Sequence, residues 1–134
     1  MNAEFISLYL VPWVDINPDL EFRIFVHDTN VSAISQQHLY RKNNMLNDEL
    51  ALYYCRMIVD YIFDKIIYEI ERESFCLDIC IVDEKPYFIE INPFGKWFSS
   101  GSALFHWLTD RDILYGNTGS GVMYVRYVSD LPDP

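Results

Sequence analysis

The chain has 134 residues and a mass of 15.9 kDa, which is the size of one domain with a buried core. Hydrophobic residues make up 51% of it, too many for a disordered chain, yet no apolar run approaches the roughly 18 residues of a membrane span. The net charge of -10 argues against general nucleic-acid binding, which needs clustered Lys and Arg. We therefore expect a single domain over residues 1–134 that binds neither nucleic acid nor membrane.

The N-terminus and the cysteines indicate the cellular compartment. Met1 is followed by no basic stretch and by no apolar run with a small-residue cleavage site, so no secretory signal is indicated. Cys55, Cys76 and Cys80 lie inside apolar runs, a placement typical of buried free thiols in a reducing compartment. These features predict a cytoplasmic protein.

The first part of the chain predicts three strands. Residues 5–14, FISLYLVPWV, indicate a strand, and the cluster at 15–19 indicates a turn. Residues 20–27 alternate, which predicts a half-buried strand with a polar face, and residues 31–37 predict its return strand. The two faces of the alternating strand are Leu20, Phe22, Ile24 and Val26 on one side, and Glu21, Arg23, Phe25 and His27 on the other.

The second part predicts a long helix and a hairpin. Apolar residues recur at spacings of three and four from Asp48 to about Arg72, and Asn47 or Asp48 can cap the start of this helix. A hairpin over 75–92 follows, and the stretch GVMYVRYV at 121–128 is a candidate last strand. This order predicts an α+β fold in which a largely antiparallel sheet packs against one long helix.

Two carboxylates occupy the apolar strands of this hairpin. If residues 83–85 form the loop, Val82 pairs with Pro86 and Asp78 lies opposite Glu90, with Cβ atoms roughly 5 Å apart. Like charges in that position destabilise a sheet, and a bound cation removes the penalty. Asn92 points to the same side, and such oxygen ligands suit Mg²⁺ held together with phosphate.

An alternative interpretation needs no metal. Asp78 then faces solvent, and Glu90 binds Lys85 or Arg23. A slip of one residue in the hairpin would also send the two acids to opposite faces of the sheet. Spacing alone leaves the metal site and this alternative open.

The glycine-rich stretch GNTGSG at 116–121 is a weaker signal. No Lys-Ser or Lys-Thr follows its glycines, so it does not match a P-loop, and we expect a surface turn. The histidines show no metal-ligand spacing, and the serines lie in no nucleophile motif.

Four stretches together resemble the D123 family, the cell division cycle protein 123 homologues of the ATP-grasp superfamily. They are VPWV, LEFRIFV, AISQQ and FIEINPFGKWFSSGSALFHW, which occur in family order over roughly residues 8–108. The resemblance implies the C-terminal lobe of an ATP-grasp fold, with the family's N-terminal lobe absent. Such proteins bind ATP and Mg²⁺ between two lobes, and eukaryotic members assemble translation initiation factor 2 through its gamma subunit.

The resemblance also implies roles for named residues. Those expected to bind ATP are Val11, Trp13 and Val14 at the adenine edge, Glu21 at the ribose, Arg23 at the phosphates, and Asp78 and Asn92. Those expected to hold the metal are Asp78, Glu90 and Asn92. Two positions depart from the family pattern, because Glu90 replaces an Asp and Gln37 replaces an Arg near the phosphates.

Three functions follow from the resemblance. The first is an ATP-Mg²⁺-binding module of a D123-type assembly chaperone, with ATP and the gamma subunit as partners. The second is an ATP-grasp lobe that ligates a carboxylate to an amine. The third is a truncated, nucleotide-free protein-binding module. The first fits the resemblance best, and it favours a binding protein over an enzyme.

Overall fold

The computed structural model describes residues 15–96, 101–119 and 121–130. Its strands are β1 (Glu21–His27), β2 (Asn30–Gln36), β3 (Phe75–Val82), β4 (Lys85–Pro93) and β5 (Tyr124–Arg126). Its helices are α1 (Asp48–Tyr61) and the short α2 (Arg111–Leu114), with a 3-10 turn at Pro18–Leu20 and a π-helical turn at Ile62–Ile66. The strand predicted at 5–14 lies outside the described residues.

The five strands form one sheet in the order β4-β3-β1-β2-β5. β1 pairs antiparallel with β2 and β3, and β4 pairs antiparallel with β3, so the largely antiparallel sheet is confirmed. β5 runs parallel to β2 and is shorter than the predicted last strand. The chain leaves the sheet after Arg126, because the backbone of Val128 bonds to the Gln36 side chain and to Asn43 instead.

The long helix begins where the sequence predicts. The Asn47 side chain accepts a hydrogen bond from the Leu50 amide at 2.8 Å, which caps α1. Extension of the helix to Arg72 was wrong, since the backbone widens into a π turn at Ile62–Ile66 and then leaves helical geometry. Ile66 and Ile70 still pack against the core, which explains why their spacing suggested more helix. Within the described residues, no helix is long and apolar enough to span a bilayer.

The sheet is covered on both faces. α1 packs against one face, with Tyr54, Cys55, Ile58 and Ile62 over the inward side chains of β1 and β3. Residues 101–115 fold over the other face, where Phe25 and Cys76 are buried against side chains of this segment. The expectation of a half-buried β1 with a polar face was therefore wrong, because alternation along one strand does not reveal that a distant segment covers its second face.

The three cysteines are buried and free, as their apolar surroundings predict. Burial raises the pKa of the Cys55 and Cys76 thiols to about 12 and also raises the pKa of Cys80. These side chains therefore pack as small hydrophobic groups and are not poised as nucleophiles.

Candidate functional site

Asp78 lies directly opposite Glu90, so the predicted pairing of the two acids is confirmed. Their side chains point to the face of the sheet that lies away from α1, since residues that oppose each other share a face. Asn92 lies opposite Cys76, two positions further along the same face of β4. Two carboxylates and one amide thus lie side by side on adjacent strands.

The loop that produces this register differs from the expected one. Val82 pairs with Lys85, so the turn contains two residues, Asp83 and Glu84, instead of three. Both have positive φ, 50° and 61°, which is the geometry of a type I′ hairpin turn. A β-bulge next to Asp78 then adds one residue to β4 and restores the pairing that a longer loop would have given.

The two acids belong to a row of polar residues that crosses the whole sheet. Arg23 lies between Asp78 and Ser35, and Ser35 lies opposite Arg126 on β5. From one edge to the other, the row consists of Glu90, Asp78, Arg23, Ser35 and Arg126. Two negative charges therefore stand beside one another, with the first positive charge on the next strand.

Arg23 and Asp78 form a bidentate ion pair. Nε and Nη2 of Arg23 donate to Oδ1 and Oδ2 of Asp78, both at 2.9 Å. Burial alone would lower the pKa of Arg23, but the hydrogen bonds and charge of Asp78 outweigh it, and the pKa is raised. The third donor, Nη1, bonds to the carbonyl of Gly101, where an added Cβ would come within 3.3 Å of that nitrogen. From its place on β1, Arg23 thus joins β3 to residues 101–115, the covering segment of this face.

Glu90 is the exposed member of the acid pair. Its Oε1 lies 3.5 Å from Nδ2 of Asn92, and it forms no ion pair with a described residue. This arrangement contradicts the alternative in which Asp78 faces solvent and Glu90 takes the cation, because Arg23 binds Asp78 and leaves Glu90 open.

The donor set fits a hard divalent cation. Each carboxylate oxygen of Asp78 has a second lone pair beyond the one that Arg23 occupies, and Glu90 and Asn92 contribute further oxygens to the same side. In the described part of the chain, no three His, Cys, Asp or Glu side chains lie close enough to share a metal. An ion at Asp78 and Glu90 would therefore complete its shell with Asn92, water or phosphate oxygens, as Mg²⁺ does in nucleotide sites.

Comparison with known proteins identifies the family. The D123 family model matches residues 2–128. The chain belongs to the D123 family. A translation initiation factor eIF2 assembly protein from Kluyveromyces lactis is 33% identical over 111 residues, which are 80% of this chain and 29% of the relative. Its counterpart from Candida albicans is 32% identical over 104 residues, 76% of this chain and 30% of the relative.

A solved structure shares the fold. Cdc123 from Schizosaccharomyces pombe superimposes with a TM-score of 0.63 at 23% identity, and the alignment covers 87% of this chain and 43% of that one. The chain thus spans about three tenths of the length of the curated relatives, at 29% and 30%, and under half of the solved one.

The other residues that the D123 resemblance implies differ in what the structure shows of them. Val11, Trp13 and Val14 lie outside the described residues. Glu21, predicted at the ribose, lies on the same face as Arg23, and its Oε2 lies 2.8 Å from Nε2 of His38. Gln37, at the position where the resemblance implies an arginine, has a buried Oε1 with no hydrogen-bond partner among the described residues.

Arg126 is a member of the polar row that sequence reasoning did not select. It forms a bidentate pair with Asp110 at 2.9 and 3.0 Å, and its guanidinium lies 4.2 Å from the ring centre of Phe105. These contacts hold the covering segment on the sheet. Only the parallel pairing of β5 with β2 brings Arg126 into line with Arg23, and nothing in the local sequence indicates that pairing.

Proposed function

We propose that this D123 chain is an ATP-grasp lobe that binds ATP together with Mg²⁺ on the face that carries Asp78 and Glu90. The observation that carries the proposal is the cross-strand pairing of these two carboxylates, with Asn92 beside them. When bound, the metal would neutralise the paired charges and the phosphates. Asp78, Glu90 and Asn92 would hold the metal, and Arg23 lies one strand away as a phosphate-binding cation.

The ion pair with Arg23 supports a preformed site. A carboxylate held by two hydrogen bonds keeps one orientation, so Asp78 would present its free lone pairs in a fixed direction. Glu90 is exposed and can approach an ion from the neighbouring strand. A buried carboxylate of fixed orientation, Asp78, beside an exposed carboxylate, Glu90, suits a metal ion that also binds a ligand from solution.

For the cellular role, we propose assembly of eIF2 through its gamma subunit. Support comes from the relatives, which are named as eIF2 assembly proteins and match 80% and 76% of this chain. ATP binding would then serve a binding protein that acts on another protein, without transfer of a group to a small substrate.

Calorimetry with ATP and Mg²⁺ tests the nucleotide site. Glu90→Gln removes one ligand charge from an exposed side chain without disturbing the core, so the affinity for Mg-ATP should fall at least about tenfold. Glu71→Gln makes the same chemical change at an exposed position outside the site and should leave the affinity unchanged. The titration is repeated with the preceding part of the Kluyveromyces lactis relative fused to the chain. No heat of binding in either protein would refute nucleotide binding.

A second candidate is a nucleotide-free protein-binding module. It is favoured by the compensation of the Asp78 charge by Arg23, which allows this face to be stable without a metal. The two candidates differ in one measurement. Affinity for the gamma subunit that is the same in EDTA as in Mg-ATP would favour the nucleotide-free module, whereas affinity that rises with Mg-ATP would favour the first proposal.

A further inference from the structure

A groove runs along the outer side of α1 and past the end of the sheet where β1 turns into β2. Its deeper part is a cavity of about 680 Å³ between α1, the start of β2 and residues from 115–119 and 121–123. A shallower concavity of about 560 Å³ continues over the helix, and Arg56 and Asp60 line both parts. We call this surface the helix groove. From α1 and the π turn that follows it, the lining includes Glu49, Leu52, Tyr53, Arg56, Asp60 and Phe63.

The helix groove exposes large apolar side chains. The exposed fractions are 53% for Leu52, 50% for Tyr53 and 38% for Phe63. The inward face of α1 is already formed by other residues, among them Cys55 and Ile58, so these three side chains are not needed for the core. A cluster of exposed apolar residues with a polar rim is typical of a surface that binds another protein.

Glycines contribute to the opposite wall of the cavity. Gly116 and Gly121 line it with φ of 70° and 74°, a conformation that favours glycine, and an added Cβ at either would meet no atom within 4 Å. The stretch expected to be only a surface turn thus lines a cavity wall.

The charges of the helix groove are unbalanced. Asp28, Glu49 and Asp60 contribute negative charge, and Arg56 is the only lysine or arginine that lines it among the described residues. Neither Arg56 nor Asp60 forms an ion pair with a described residue, while Asp28 lies 3.4 Å from His27. The surplus of acids, in a chain of net charge -10, complements a basic partner.

The helix groove is separate from the part of the polar row that holds Asp78 and Glu90. On β1, the cavity is lined by His27, which lies four residues beyond Arg23 and therefore about 13 Å along the strand. The outer side of α1 also lies across the sheet from Asp78. A macromolecule in the groove and a nucleotide at Asp78 and Glu90 could therefore bind to the chain at the same time.

We propose that the helix groove is a docking surface for a partner-protein segment in which Lys or Arg side chains flank apolar ones. The apolar side chains would cover Leu52 and Phe63, and the basic ones would meet Glu49 and Asp60. The inference rests on the proposed role in eIF2 assembly, so the gamma subunit of eIF2 from Kluyveromyces lactis is the probe.

Charge reversal tests the contact. The double variant Glu49→Lys/Asp60→Lys should weaken binding of the gamma subunit at least about tenfold in calorimetry, because two complementary contacts become repulsive. The control Glu71→Lys/Glu73→Lys makes the same change in net charge at exposed positions outside the groove and should change the affinity less than about twofold. Equal weakening by both variants would show an effect of net charge and would overturn the proposal that the groove binds the gamma subunit.

Photo-crosslinking locates the contact independently. A benzophenone side chain at position 52 or 63 should crosslink to the gamma subunit, whereas one in place of Tyr68, which is exposed away from the groove, should not. Binding that persists without crosslinks from 52 and 63 would overturn the groove and leave the proposed function standing. Crosslinks between two copies of this chain would also overturn it. If the unaltered chain does not bind the gamma subunit, the proposed function and the groove both fail.

Discussion

The guanidinium of Arg23 and the carboxylate of Asp78 form two hydrogen bonds of 2.9 Å between the central strand β1 and β3. The exposed fractions of these side chains are 8% and 6%. Arg23 neutralises the charge of Asp78 inside the protein, whereas Glu90 keeps its charge at the surface. The same residues thereby serve stability and, in our proposal, ligand binding, and the two roles can be measured separately.

Asp78→Asn should reduce the free energy of unfolding by about 3 kcal/mol, because the buried guanidinium of Arg23 loses its counter-charge. Urea denaturation measures this change. The double variant Arg23→Met/Asp78→Leu removes both charges and should recover most of the loss. A double variant as unstable as Asp78→Asn would show that the loss comes from packing and not from the unpaired charge.

Asp110 should make stability depend on pH. The hydrogen bonds from Arg126 are the largest influence on Asp110 and lower its pKa in the folded chain. The resulting stabilisation is complete above the unfolded pKa of about 3.9 and is lost as the pH falls through the lower folded value. Asp110→Asn should therefore be less stable by about 1 kcal/mol at pH 7, with the difference vanishing in acid.

Thermal unfolding from pH 7 to pH 2 checks this dependence. Asp112→Asn is the matched control, since Asp112 lies in the same segment and forms no ion pair in the described part of the chain. At pH 7, Asp112→Asn should lower the stability less than Asp110→Asn does, because it breaks no ion pair in the described part of the chain. A constant difference for Asp110→Asn across all pH values would contradict the ionic origin of the effect.

The stability of the folded chain should depend on whether position 83 in the hairpin turn carries glycine or a β-branched residue. Asp83 has a φ of 50°, so Asp83→Val should cost about 1–2 kcal/mol, whereas Asp83→Gly should cost nothing or stabilise slightly. Chemical denaturation of the two variants gives the comparison. Equal stabilities would mean that the turn does not adopt the left-handed geometry.

The cysteines should be unreactive in the folded protein. With the pKa of Cys55 and Cys76 raised to about 12 by burial, the thiolate fraction at pH 8 is about one in ten thousand. Maleimide labelling followed by mass spectrometry should detect modification only after unfolding. The variant Thr109→Cys, at an exposed position, provides the positive control and should react at once. Rapid labelling of Cys76 in native conditions would contradict the burial.

Local pattern predicted the elements and one long-range relationship. Alternation identified β1, apolar spacing and the Asn47 cap identified α1, and the hairpin reasoning placed Asp78 opposite Glu90. These features depend on residues close in sequence, where backbone geometry fixes which side chains share a face. The register was obtained through a wrong loop, since the two-residue turn and the bulge compensate each other.

By itself, the sequence determined the family resemblance, the strands β1 to β4, the start of α1 and the acid pair, but it placed the end of the helix too far along the chain. The tertiary structure alone decided that Arg23 binds Asp78, that Arg126 joins the same row, and that residues 101–115 bury the second face of β1. These contacts join segments separated by tens of residues, and the order β4-β3-β1-β2-β5 creates them. Alternation tells which face a side chain occupies, but which strands become neighbours depends on how the whole chain buries its apolar surface.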